Sequence, residues 1–199
     1  MIWLLLLGLL LVFMPTLWVR WVMNRYSAEI PDLPGTGGEL AQHLIQRLGL
    51  EGVGVEASDI GDHYDPEHRM VRLTESNWCG KSLTAVAVAA HEVGHAVQHH
   101  QNDARLNART KLIPIVTVLG QLSVGVLTVV PIIGLLTRHP APTLLIAGIG
   151  LSGLLFRMLL HLVTLPTEWD ASFGKALPVL KEGEFISPEQ EKTVRRGLG

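Results

Sequence analysis

Long apolar runs flank one polar stretch in this chain. "IWLLLLGLLLVFMPTLW" (Ile2–Trp18) carries no charge and is followed by Arg20 and Arg25. The other runs are "LIPIVTVLGQLSVGVLTVVPIIGLL" (Leu112–Leu136) and "APTLLIAGIGLSGLLFRMLLHLVTLP" (Ala141–Pro166). Each is near or above the ~20 residues that an α-helix needs to cross the hydrocarbon of a bilayer. The alternative is a buried core hairpin, but soluble core helices seldom run so long with so little charge. The first run lacks the basic start and small-residue cleavage site of a signal peptide, so it reads as a retained anchor. Three spans are expected.

Between the first and second runs the pattern changes period. "SAEIPDLPGTGG" is a linker punctuated by proline and glycine. In "GTGGELAQHLIQRLGLEGV", Leu40, Leu44, Ile45 and Leu48 recur at helical spacing, with Gly49 as a stop. "VGVEAS" reads as a short strand. "GDHYDPEHRMVRLTES" reads as a turn at Asp65-Pro66 and then a strand over Met70–Leu73. "NWCGKSLTAVAVAAHEVGHAVQHH" reads as a helix with Ser82 at its N-cap. The pattern predicts an α-helical integral membrane protein with a small α+β domain between spans one and two. Its parts are an anchor over 1–23, the domain over 24–111, a transmembrane hairpin over 112–166 and a C-terminal segment over 167–199.

Charge adds an orientation. Arg20, Arg25, Arg105, Arg109 and Lys111 flank the spans on the domain side, and Lys175, Lys181, Lys192, Arg195 and Arg196 lie in the tail, while the hairpin turn carries only Arg138. The positive-inside bias places the domain and the tail in the cytoplasm. The expected location is therefore multi-pass in a membrane, with lipid as its surroundings. The net charge of −2 and the absence of a basic tail exclude a nucleic-acid partner. Cys79 is the only cysteine, which excludes an internal disulfide and a cysteine-rich zinc module.

The chemistry sits inside the domain's last helix. His91-Glu92-Val93-Gly94-His95 is an H-E-x-x-H pattern, and residues four apart on a helix share a face. Two imidazoles so placed can bind one Zn²⁺, and Glu92 is then positioned to take a proton from a water activated by the metal. His99 shares that face, but it lies two turns, about 12 Å, from His91, too far for both to join His95 on one ion. His99 and His100 are expected at the surface or at the rim of a cleft. A third ligand has to come from elsewhere.

Glu168 and Asp170 are the only carboxylates between Asp103 and Glu182, and both follow the third span on the expected cytoplasmic side. Spacing alone does not choose between them. Arg157, His161, Thr164 and Glu168 form a polar stripe at helical spacing, and Asp170 falls off it. Glutamate also reaches farther. Glu168 is therefore the expected ligand, with Asp170 accepting the second ring N–H of His91 or His95. Arg157 lies too far from the span's end only to snorkel, so it calls for a polar partner or a wet cavity. Tyr64, His63, Arg69 and Asn77 are candidates, by residue type, for stabilising an oxyanion.

"DHYDPEHRMVRLTE", "VAAHEVGHAVQ" and "LVTLPTEWDAS", in that order between these spans, resemble the YugP-type membrane zinc metallopeptidases. The resemblance runs from the first span to about Leu180. It implies a gluzincin-like peptidase, similar in plan to the HtpX-like membrane proteases, with a zincin-like domain. By it, His91, His95 and Glu168 would be zinc ligands and Glu92 the catalytic base. It also implies further hydrophobic sequence after "RRGLG". The function expected is a zinc endopeptidase acting on proteins or peptides at the cytoplasmic face, possible substrates including membrane proteins, with membrane partner proteins or an oligomer as further associates. Two other classes stand beside it: a zinc-binding scaffold that regulates a membrane complex without cleavage, and a metal transporter with Arg157 and His161 along its path. The strand Met70–Leu73 is expected at a sheet edge, where an extended substrate adds as a further strand.

Overall fold

The computed structural model describes residue 14 and residues 17–137 and 139–198. Residues 1–13, 15 and 16 of the expected anchor lie outside the described residues, as does Arg138. The chain divides into two compact units, one of Met1–Gln101 with Trp169–Gly199 and the other of Asn102–Glu168.

The first unit begins with a helical stretch over 17–25 (α1). Helix α2 (Gly37–Arg47) opens on a capping box: the Thr36 side chain accepts from Glu39 N–H, and the Glu39 carboxylate accepts from Thr36 N–H. Two otherwise orphaned donors are thus satisfied. Gly49, at φ +64°, ends the turn that follows. The sheet comprises β1 (Gly54–Ala57), β2 (His63–Asp65) and β3 (Met70–Leu73), in the order β1-β3-β2. β3 pairs parallel with β1 and antiparallel with β2. The expectation that Met70–Leu73 is an edge strand is therefore corrected: it is the central strand, with Val71 and Leu73 fully buried. The expected turn at Asp65-Pro66 follows directly on edge strand β2, which the sequence reading did not include, and joins it to β3.

Arg72 crosses the sheet. Its guanidinium binds Glu56 of β1 at 2.6 Å and also Asp65 of β2. Burial alone would raise the pKa of Asp65. The His68 ring and backbone, Arg72 and the Glu67 N–H more than offset this and hold the carboxyl well below the usual range.

After a short helix α3 (Glu75–Trp78), helix α4 (Leu83–His100) forms the spine of the unit. Ser82 caps it as expected, its Oγ accepting from Ala85 N–H at 3.1 Å. Small buried residues, among them Ala85, Ala89 and Ala96, let neighbours pack close to its backbone. The C-terminal part of the unit is a π-helical segment (Asp170–Ala176), α7 (Leu177–Glu182) and α8 (Pro188–Leu198). Leu180 and Val194 join the same core as Leu44 and Val93.

The second unit is a helical hairpin of α5 (Ala104–Thr137) and α6 (Pro140–Trp169). Both helices are long and apolar enough to cross a membrane. They run through Pro114, Pro131 and Pro166 without ending. Gly120, Gly150 and Gly153 allow close approach, since a Cβ at Gly150 would meet Leu127 at 2.6 Å.

Candidate metal centre

The site is assembled on α4. His91 and His95, one turn apart, stack edge-to-face with ring centroids 4.7 Å apart. His95 is 2% exposed and Glu92 is also buried. Glu168, the residue before Trp169, brings a carboxylate from about seventy positions later in the chain. One ligand atom from each of His91, His95 and Glu168 lies within 4.8 Å of the other two. A tetrahedral zinc with bonds of about 2 Å places its ligands roughly 3.3 Å apart, so small side-chain rotations close the set. Two imidazoles and one carboxylate are also the donor set of catalytic zinc, which keeps a position open for water or substrate. The residues fit the metal.

Behind these groups lies a buried relay that sequence reasoning missed. Gln98 is fully buried. Its Nε2 donates to Asp170 Oδ2 at 2.9 Å, and its Oε1 lies 2.9 Å from His95 Nδ1. A carboxylate only accepts, so it must face the amide's NH₂. The amide oxygen is then left for His95, which makes Nδ1 the protonated nitrogen and leaves the Nε2 lone pair for a metal. Asp170 thus reaches the histidine through Gln98, a correction to the expected direct contact. On the other histidine, His91 Nδ1 lies 3.0 Å from Ser172 Oγ. Within the hairpin unit, Arg109 Nε binds Glu168 Oε1 at 2.6 Å and fixes the carboxylate's orientation. Gln98 stands three residues after His95, a spacing from which it could have been found. No sequence signal marks Arg109.

The π-helical segment delivers both Asp170 and Ser172 to α4. Its wider turn follows directly from α6. The two backbones nearly touch: a Cβ on Gly94 would fall 2.6 Å from the Ala171 carbonyl oxygen. Gly94 is one of the two x positions of the H-E-x-x-H, and there only hydrogen fits.

Of the four oxyanion candidates, Tyr64 is bonded to α4, its hydroxyl lying 2.8 Å from His99 Nδ1. Burial pushes its pKa up to about 12, with Arg69 pulling down and Asp65 adding to the rise. The phenol therefore keeps its proton at neutral pH. Asn77 donates to Asp62, His63 bonds the Gly61 carbonyl through Nδ1, and Arg69 sits in an exposed turn at φ +52°. His99 is half-buried against Tyr64 and His100 is exposed. A separate cavity of about 320 Å³, between Leu33, His43, Val86 and Phe185, contains none of the site residues.

A family model described as "Putative neutral zinc metallopeptidase" matches residues 1–199. The chain belongs to this family. Among curated proteins, the "Putative membrane protease YugP" of Bacillus subtilis (strain 168) is 34% identical over 177 residues, covering 88% of this chain and 75% of that protein. No solved structure gives a significant match. Zinc is the metal of the neutral zinc metallopeptidase family, and the cluster of His91, His95 and Glu168 offers it a suitable donor set.

Proposed function

We propose that this chain is a membrane-bound zinc endopeptidase acting at the cytoplasmic face, with His91, His95 and Glu168 holding the metal. The observation that carries the reading is the convergence of Glu168 on the H-E-x-x-H helix. When bound, zinc supplies a Lewis acid for a peptide carbonyl and lowers the pKa of a water to about 7. Glu92, beside His91 and buried, takes a proton from the attacking water and passes it to the leaving amine. The Asp170–Gln98 relay holds His95 in its metal-binding tautomer, and Ser172 holds the His91 ring. Tyr64, kept protonated by burial, is a hydrogen-bond donor on the strand next to α4. An extended substrate would add to the outer edge of β2, since β3 is already paired on both sides.

The cytoplasmic orientation rests on the Lys and Arg residues flanking the hairpin. Glu92→Gln tests the enzyme reading. Membranes carrying wild type should yield peptide products, seen by mass spectrometry, that are missing with Glu92→Gln, while the variant retains its zinc. Equal products from both would leave a zinc-holding scaffold as the better description.

A further inference from the structure

We propose that the hairpin of α5 and α6 carries a binding site for an acidic side chain on the transmembrane helix of another protein, centred on Arg157. The inference rests on the membrane-spanning reading of the hairpin and not on the peptidase reading. Arg157 lies about 5 Å from the midpoint of the Ala141–Pro166 run, at 1.5 Å per residue. A guanidinium at that depth is costly and is retained where it has a partner or a wet cavity. Among the described residues Arg157 makes no ion pair. Its side chain is exposed on the hairpin, and it lies over buried Gly120, where a Cβ would meet Nη1 at 3.0 Å and Cδ at 3.1 Å. Next to it a cavity of about 70 Å³ is lined by Thr117, His161 and Thr164 as well as apolar residues. Charge, a recess and flanking polar groups are thus built into one spot on a largely apolar surface.

The occupant follows from charge and depth. A cation there calls for a carboxylate. The runs Ile2–Trp18, Leu112–Leu136 and Ala141–Pro166 of a second copy do not supply one, because they contain neither Asp nor Glu. Lipid phosphates lie at the headgroup level, roughly 15 Å from the midplane of a core about 30 Å thick. A helix of another protein with Asp or Glu near its centre places the charge at the right depth. The hydroxyls of Thr117 and Thr164 donate to the Ile113 and His161 carbonyls of their own helices, so the guanidinium is the donor that meets it.

The probe is a single-span leucine-rich peptide with one central Glu, paired with its Gln counterpart. Energy transfer to the full-length protein is measured in phosphatidylcholine vesicles at mildly alkaline pH. The Glu peptide should associate roughly three- to thirtyfold more strongly than the Gln peptide, the range of polar contacts between membrane helices. Arg157→Leu, which makes insertion easier, should abolish that difference, and Arg157→Lys should keep part of it. Equal association of the two peptides with wild type, or a Glu preference that survives Arg157→Leu, overturns the proposal. So does loss of the preference when phosphatidylglycerol is added, which makes lipid the occupant. Self-association of the protein that depends on Arg157 overturns it in favour of a second copy.

Discussion

Replacing Gln98 by leucine roughly conserves volume and removes two hydrogen bonds at once. His95 then loses the acceptor that fixes its tautomer, and Asp170 loses its donor. Partners behind a metal ligand typically contribute 10- to 100-fold in affinity. Gln98→Leu should weaken zinc binding by that order in a competition titration, and Ser172→Ala by less, since a single hydroxyl is lost. Tyr64 gives an alkaline prediction. Its folded pKa of about 12 lies above the ordinary value near 10. Between those values the unfolded chain loses a proton that the fold retains. Stability is thus unaffected below about pH 10 and falls as pH rises towards 12. Tyr64→Phe should flatten that slope in denaturation measured across this range. At this scale the H-E-x-x-H was legible because all its residues sit within one helical turn. Glu168 was legible because carboxylates are so scarce around it. Arg109 was not, because one more arginine beside a membrane span looks like a flanking charge.

Helix α4 and the π-helical segment depend on hydrogen being the side chain of residue 94. Gly94→Ala puts a methyl group 2.6 Å from the Ala171 carbonyl. Backbone, unlike a side-chain tip, yields only by moving the whole segment, and overpacking of this kind costs about 1–3 kcal/mol. Asp170 and Ser172 move with the segment, so this variant should lose both thermal stability and zinc affinity. A variant with unchanged affinity would show that the segment's placement does not govern the site. The sheet supplies a second test. Val71→Pro removes a donor from the central strand and should leave the domain unfolded by circular dichroism rather than selectively inactive. The central position of β3 was hidden because β2 has three residues with one buried, and Pro66 next to it reads as a turn. The π-helical turn has no sequence signature at all, whereas α2 and α4 announced themselves through period and caps.

At the scale of the molecule, Cys79 offers a direct report on sidedness. It is the only cysteine and is exposed in the domain that carries α4. A hydrogen bond to Glu75, with smaller contributions from burial and charge, raises its pKa, so labelling calls for mildly alkaline conditions. A membrane-impermeant maleimide should label it in inside-out vesicles and spare it in intact cells; the opposite pattern would place the domain outside. The two apolar helices were plain from the sequence because length and hydropathy alone define them. The pairing of Glu168 with α4 was inferred from a polar stripe, which helical geometry carries through Pro166. The central claim is that this glutamate completes a zinc site on α4, and a zinc titration of Glu168→Ala beside Asp170→Ala tests it most directly. Glu168→Ala should abolish tight binding, and Asp170→Ala, acting through Gln98, should weaken it by roughly 10- to 100-fold. Tight zinc binding that survives Glu168→Ala but disappears with Asp170→Ala would contradict the account.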